Sequence, residues 1–140
     1  MLPHIEAKIT LFKSDGQGNG RLTSACSGYR PAHLIKDDYL TTGIHQYYGD
    51  VFAQPGETVM GTITFITPEY YPRTLWIGKC IRIQEGARIV GQAEVTQIFN
   101  ELLIKAEGFE ADDSFIDYYQ PGNLLSRLKG ALLQKKAKLP

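Results

Sequence analysis

The side chains best suited to metal binding or nucleophilic chemistry are few in this chain and lie far apart: His4, His33, His45, Cys26 and Cys80. No two of them fall at the spacing of a C-x-x-C or H-E-x-x-H motif, which would bring two ligands to one ion. Folding could still gather Cys26, His33 and Cys80, but we predict no metal site. We expect the histidines to be surface or partly buried residues, and the cysteines to be reduced thiols in or near the core.

Glycine clusters offer no phosphate-binding chemistry either. The polar stretch 13–20 contains three glycines, but their spacing differs from that of a dinucleotide-binding loop and no helix is predicted after them. A G-x-x-x-x-G-K-[ST] motif is absent from the sequence. Because no catalytic arrangement can be assembled, the sequence predicts a non-enzymatic protein without a cofactor.

Composition and charge are those of one soluble domain. The 140 residues are 43% hydrophobic and carry 15 basic and 15 acidic side chains, so the whole molecule has no general attraction for a polyanion or an anionic membrane. No basic stretch precedes an apolar run at the N-terminus, and no window approaches the roughly 20 apolar residues that span a bilayer. We expect a cytoplasmic protein.

The elements that would position any site are short strands. Residues 5–12 alternate between apolar and polar side chains, as do 57–66 and 88–98, and strand-like runs also occur at 29–36, 41–48 and 75–84. Turn residues separate these runs, which favours an antiparallel sandwich or barrel. Gly61 and Gly91, inside predicted strands, are expected at bulges or corners.

The chain changes character after residue 100. Residues 101–121 form an acidic connecting segment, whereas 122–138 are basic and carry leucines at helical spacing, which predicts an amphipathic α-helix. This helix could pack on the barrel, pair with a second copy to form a dimer, enter a partner's groove or lie on an anionic surface. The sequence does not choose among these.

Four motifs occur in order between residues 20 and 91: Gly20-Arg21-Leu22-Thr23, Gly28-Tyr29-Arg30-Pro31, Pro55-Gly56-Glu57-Thr58-Val59 and Glu85-Gly86-Ala87-Arg88-Ile89-Val90-Gly91. Together they resemble the third domain of translational GTPases of the elongation factor Tu and 1-alpha type. The resemblance covers about residues 5–99 and implies a six-stranded antiparallel β-barrel, assigned to residues 4–100. In that family the barrel holds the T-stem of aminoacyl-tRNA, contacts the exchange factor and packs on the GTPase domain.

The resemblance also implies candidate RNA contacts, which fall on Arg21, Arg30, Glu85, Gly86 and Arg88. These arginines could instead fix turns by pairing with carboxylates, or contact a protein. Two features depart from the family: Ala32 replaces its usual glutamine, and the segment 69–78 is longer. The GTPase domain and the second barrel are absent from this chain, so GTP hydrolysis is excluded for it.

Two hypotheses follow for function. The first is a protein-binding module whose partner is a translation factor, its exchange factor, or a toxin for which the chain is a decoy or immunity protein. Its surface is predicted in the aromatic segment 68–78, chiefly Tyr70, Tyr71 and Trp76, with Tyr47 and Tyr48 also expected to be exposed. The second is an RNA-binding module that contacts a tRNA stem, assisted by the lysines of the tail.

Overall fold

Six β-strands carry the fold in the computed structural model, which describes residues 2–105. The strands are β1 (Ile5–Leu11), β2 (Ala32–Lys36), β3 (Tyr39–Tyr47), β4 (Thr58–Phe65), β5 (Cys80–Glu85) and β6 (Arg88–Ile98). Three 3₁₀ turns lie outside the strands: Tyr48–Asp50, Pro68–Tyr70 and Glu101–Leu103.

The strands close into an antiparallel barrel in the order β1-β4-β3-β2-β5-β6, with β6 returning to β1. Ile5 of β1 lies opposite Ile63 of β4 on one side and Ile98 of β6 on the other. The pairing of β2 with β5, in which Ala32 faces Gln84, joins the two halves of the chain. The predicted six-stranded antiparallel barrel is therefore confirmed, and closure leaves none of these six strands as a free sheet edge.

The alternation of apolar residues sets the interior of the barrel. Every second residue of β1, from Ile5 to Leu11, is fully buried, while the residues between them are half-buried or exposed. In β4 the predicted inner face is likewise confirmed for Gly61, Ile63 and Phe65. Side chains from all six strands meet in one core, because successive residues of a strand point to opposite faces.

A β-bulge interrupts this alternation in β6. Ile83 faces Gly91, whereas the next residue, Gln84, faces Ile89, so Val90 is the extra residue and is itself fully buried. Gly91 stands beside the bulge, where a side chain would collide with the carbonyl oxygen of Thr10 on β1. Gly91 therefore allows β6 to approach β1 closely next to the bulge, as expected for a glycine inside a strand.

Two predicted strands begin later than expected. The run at 29–36 becomes a strand only at Ala32, and the run at 75–84 only at Cys80. In the second case Lys79 N–H bonds to the carbonyl of Trp76 at 3.1 Å, and Gly78 adopts a φ of +94°, so a turn replaces the start of the strand.

The predicted acidic segment reaches the described residues only at 101–105, where a 3₁₀ turn occurs. The predicted helix at 122–138, and with it the proposed dimerisation, lies outside them. Within residues 2–105, no helix is long and apolar enough to cross a bilayer.

Candidate functional site

The loop after β1 is fastened to the β5–β6 hairpin. Gly20 N–H donates to the carbonyl of Ile89 at 2.8 Å, and Asn19 Oδ1 accepts from Ile89 N–H at 3.0 Å. These two contacts bring the next residue, Arg21, against Glu85 at the end of β5. Residues that are 64 positions apart in the sequence thus share one site.

Arg21, Tyr29 and Glu85 form a hydrogen-bonded cluster. Arg21 Nη1 and the Tyr29 hydroxyl both donate to Glu85 Oε2, and Arg21 lies with its Cζ 4.8 Å from the centre of the Tyr29 ring. The rest of the guanidinium group donates to the carbonyls of Thr23 and Ser24 at 3.1 and 3.2 Å. The arginine is therefore occupied by contacts within the chain, which favours its role in fixing turns.

Electrostatics reinforce this cluster. Burial alone would lower the pKa of Arg21, but its contacts with Tyr29 and Glu85 outweigh burial, and the net effect raises that pKa. Burial, followed by the hydrogen bond to Glu85, raises the pKa of Tyr29. The side chains of Arg21 and Glu85 are 16% and 32% exposed. Arg21 therefore stays charged and Tyr29 stays neutral across the physiological pH range.

The remaining candidate RNA contacts point outward. Arg30, Gly86 and Arg88 are all exposed, and the pairing of β2 with β5 places Arg30 at the same end of the barrel as the β5–β6 turn. Arg21 pairs with Glu85, the last residue of β5 before this turn. The five candidate RNA contacts thus lie in one region of the barrel. Arg21 and Glu85 contact each other within the chain, whereas the other three are accessible.

The candidate protein-binding residues separate into exposed and buried ones. Tyr70 is 65% exposed and Trp76 is half-buried, but Tyr71 is fully buried, so its predicted exposure is wrong. Tyr71 packs edge-to-face on Phe65 and its hydroxyl lies 3.1 Å from Thr41 Oγ1. It anchors the long β4–β5 connection in the core, which leaves its neighbour Tyr70 in solvent.

Tyr47 was also predicted to be exposed, and this is wrong: it is 1% exposed, whereas Tyr48 is 46% exposed. Tyr47 occupies an inward position at the end of β3, while Tyr48 begins the 3₁₀ turn that follows. The Tyr48 hydroxyl donates to Glu6 Oε2 at 2.7 Å on the outer face of β1.

Trp76 borders a cationic cleft, which we name the Trp76 cleft. Its volume is about 350 Å³, and its wall carries four basic side chains and one carboxylate; it is formed by Lys36, Asp37, Arg73, Thr74, Trp76, Lys79 and Lys105. Sequence reasoning missed this cleft because its residues come from the end of β2 and the turn after it, the β4–β5 connection and the segment after β6. Only the tertiary structure brings these charges together.

His4 is half-buried, as the sequence predicted, but the other two histidines are not at the surface. His33 and His45 are fully buried, not superficial, and their Nε2 atoms lie 2.8 Å apart, while His45 Nδ1 lies 2.9 Å from the Tyr47 hydroxyl. Burial lowers the pKa of His33 to about 4, although the backbone groups of Thr41 and Pro31 act in the opposite direction. Burial, and then the neighbouring His33, also lower the pKa of His45.

A signal for part of this network was present in the sequence. Thr41, Gly43, His45 and Tyr47 alternate through β3, so the inward direction of one predicts that of the others. His33 Nδ1 makes no hydrogen bond of normal geometry to any residue of the described chain. The two neutral rings are a buried polar network in the barrel rather than a surface feature.

The cysteines are both free thiols, but Cys26 is exposed and Cys80 half-buried, so the expectation that both lie in or near the core is wrong for Cys26. Among residues 2–105, no group of three or more histidine, cysteine or acidic side chains could hold a metal ion.

The sequence was also compared with models of known protein families, and none of them matches it.

Proposed function

We propose that this chain is a non-catalytic binding module, related to the third barrel domain of the elongation factor Tu type, that binds a protein partner through the surface of Tyr70 and Trp76. The partner is a translation factor, its exchange factor, or a toxin against which the chain serves as a decoy or immunity protein. The relation is supported by the closed barrel and by the meeting of three of the four sequence motifs at Arg21, Tyr29 and Glu85.

The observation that carries the proposal is the apolar surface of the β4–β5 connection. Tyr70 is 65% exposed and Ile77 is 59% exposed, and the half-buried Trp76 lies in the same connection. Tyrosine and tryptophan are favoured anchors of protein interfaces, since they bury a large area and keep a polar group for hydrogen bonding. The connection itself is fixed to the barrel by buried Tyr71, so its exposed side chains are held in place.

Affinity capture with the full chain tests this proposal. The wild-type chain is expected to retain one elongation factor, exchange factor or toxin in stoichiometric amount, and the double variant Tyr70→Ser/Trp76→Ser is expected to lose it. Leu22→Ser is the matched control, because it also removes an exposed apolar side chain, one that is 87% exposed, but lies in the loop after β1. Equal capture by the wild-type chain and the double variant would contradict the proposal.

Binding of a tRNA stem is the second candidate, favoured by the exposure of Arg30 and Arg88 at one end of the barrel. Binding to bulk tRNA should then weaken steeply with salt, because each neutralised phosphate releases counterions. Arg30→Gln/Arg88→Gln should reduce it, whereas Tyr70→Ser/Trp76→Ser should not. Undetectable association at low salt would eliminate this candidate.

A further inference from the structure

We propose that residues 122–138 pack their leucine stripe on one end of the barrel and compete there with the protein partner. The site consists of four exposed apolar side chains, which we name the apolar end: Ile66, Tyr70, Phe99 and Leu102, all between 47% and 65% exposed. Because Tyr70 belongs to it, the packed segment covers part of the surface that binds the partner. The competition, but not the packing itself, rests on the proposed function.

His4 joins two residues of the apolar end. Phe99 N–H donates to the carbonyl of His4 at 2.8 Å, and Phe65 N–H donates to His4 Nδ1 at 2.9 Å. The His4 ring also stacks on Phe65, with 6.1 Å between the ring centres. Ile66 directly follows Phe65, so the segments that carry Ile66 and Phe99 both adjoin His4.

Two 3₁₀ turns bring the other two residues together. The turn Pro68–Tyr70 lies against the turn Glu101–Leu103, although the first follows β4 and the second follows β6. Leu103 is fully buried and fixes the second turn to the core, whereas its neighbour Leu102 is exposed. Exposed apolar side chains that are grouped in this way are typical of an interaction site rather than of ordinary surface.

The chain continues from this same end of the barrel. Neighbouring strands are antiparallel, so β4 and β6 end where β1 begins. Lys105, the last described residue, donates from its N–H to the carbonyl of Leu75 in the β4–β5 connection at 2.8 Å. The residues that lead on to the leucine stripe, 106–121, extend to at most roughly 50 Å, which is ample to reach the apolar end. A nearby site also costs less loop-closure entropy than a distant one.

The predicted helix needs an apolar surface to be stable. Its apolar side chains recur at helical spacing and form one stripe: Leu124, Leu125, Leu128, Leu132 and Leu133. A helix of this length is marginal by itself in water and gains most of its stability from packing an apolar face. The apolar end supplies such a surface within the same molecule, where the tether gives a high effective concentration.

The charges beside the apolar end match those of the segment. Glu69 and Glu101 are exposed and belong to the same two 3₁₀ turns as Tyr70 and Leu102. Residues 122–138 carry five basic side chains and no acidic one. Both carboxylates are therefore available to the basic side chains that flank the leucine stripe.

Amide hydrogen exchange of the full-length protein, read by mass spectrometry at low protein concentration, tests the packing. If the packed form makes up about 70–90% of the molecules, exchange in 122–138 should be slowed by about three- to tenfold. Phe99→Ser/Leu102→Ser should abolish this slowing. Val51→Ser/Phe52→Ser is the matched control, because it also removes two exposed apolar side chains but follows β3, at the opposite end of the barrel.

A second variant changes charge and leaves the apolar side chains in place. Glu69→Lys/Glu101→Lys puts cations beside the apolar end, so the basic segment should be repelled and its exchange should become faster. Both positions are exposed, so the barrel should remain folded. This variant therefore also tests the location if Phe99→Ser/Leu102→Ser fails to fold.

Partner capture tests the competition. Leu128→Ser/Leu132→Ser should release the apolar end and raise the apparent affinity for the partner by about three- to tenfold, because the fraction of molecules able to bind it increases. Gln134→Ser is the control, since Gln134 lies on the opposite face of the predicted helix, and it should bind the partner as the wild type does.

The remaining outcomes separate the inference from the proposed function. Exchange in 122–138 that is not slowed, or that stays slow in Phe99→Ser/Leu102→Ser, overturns the packing. Slow exchange that is lost on dilution, together with a dimer in sedimentation, overturns it in favour of a second copy. Slow exchange that needs Phe99 and Leu102, with no partner captured in any condition, supports the packing and removes the proposed function. Partner capture that Leu128→Ser/Leu132→Ser leaves unchanged overturns the competition.

Discussion

His33 and His45 share one hydrogen bond inside the barrel, with 2.8 Å between their Nε2 atoms. Such a bond needs one proton between the two nitrogens, so one ring donates and the other accepts. Both rings are fully buried, and burial lowers the pKa of each. The pair is therefore a neutral network that tolerates no second proton without loss of the bond.

We predict that this pair makes the fold sensitive to acid. The unfolded chain takes up protons on both histidines below pH 6.5, whereas folded His33 resists protonation down to a pKa of about 4. The contribution of the neutral pair to the free energy of unfolding is thus fully present above pH 6.5. It is lost as the pH falls from 6.5 towards 4, by about 1.4 kcal/mol per pH unit for each histidine. Urea unfolding at pH 7, 6 and 5 measures this slope.

Two variants test whether the histidines cause this change in the free energy of unfolding with pH. His33→Gln should reduce the pH dependence by about 1.4 kcal/mol per unit, because one titrating ring is gone. Tyr47→Phe removes the hydroxyl beside His45 but leaves both rings, so stability should drop by about 1 kcal/mol at every pH with the slope retained. An unchanged slope in His33→Gln would show that other groups cause the acid sensitivity.

Arg21 and Glu85 should depend on each other energetically. Arg21→Gln and Glu85→Gln are each expected to lower the free energy of unfolding by about 1–2 kcal/mol, since each leaves a partly buried charged partner without its ion pair. The double variant should cost less than the sum of the two, with a coupling energy of about 1 kcal/mol. Arg88→Gln, on the same hairpin but exposed, should change stability by less than about 0.5 kcal/mol. Additive single effects would show that the contact contributes nothing to stability.

Tyr70 and Tyr71 should behave as opposites although they are adjacent. Tyr71→Ala empties a fully buried site and should destabilise the barrel by about 3–5 kcal/mol, as is usual for loss of a core aromatic ring. Tyr70→Ala should leave stability within about 0.5 kcal/mol of the wild type. Thermal and urea unfolding of the two variants compare them directly, and similar losses would contradict the burial described for Tyr71.

Gly91 should not accept a side chain. A methyl group at this position would collide with the carbonyl oxygen of Thr10, so Gly91→Ala must separate β1 from β6 or shift the bulge, at about 1–3 kcal/mol. Gly86→Asn is the contrasting variant, because Gly86 has a φ of +59° but open space around it, and asparagine tolerates that conformation. Its cost in urea unfolding should be below about 1 kcal/mol, and an equal cost for both variants would argue against close approach at Gly91.

The fold was largely predictable from the sequence because it depends on local patterns. Alternation in β1 identifies its buried face, since a strand side chain can point in only two directions. The strand start at 75 was predicted too early, because the turn at Trp76–Lys79 depends on the conformation of Gly78, which residue types alone do not reveal. The bulge at Val90 was not predicted, since it is a property of two paired strands.

The sequence by itself determined a fold of short antiparallel strands, either a sandwich or a barrel, and the inward residues of β1, β4 and most of β6; the six-stranded barrel was implied by the resemblance alone. Only the tertiary structure decided which functional side chains meet. It turned Arg21 towards Glu85, buried Tyr71 beside the exposed Tyr70, and collected four cations around Trp76 from segments distant in the chain. The physical reason is that the alternation of side chains along a strand and the preferences of turn residues act over a few residues. The neighbours of a side chain are instead set by the strand order and by how the connections pack on the closed barrel.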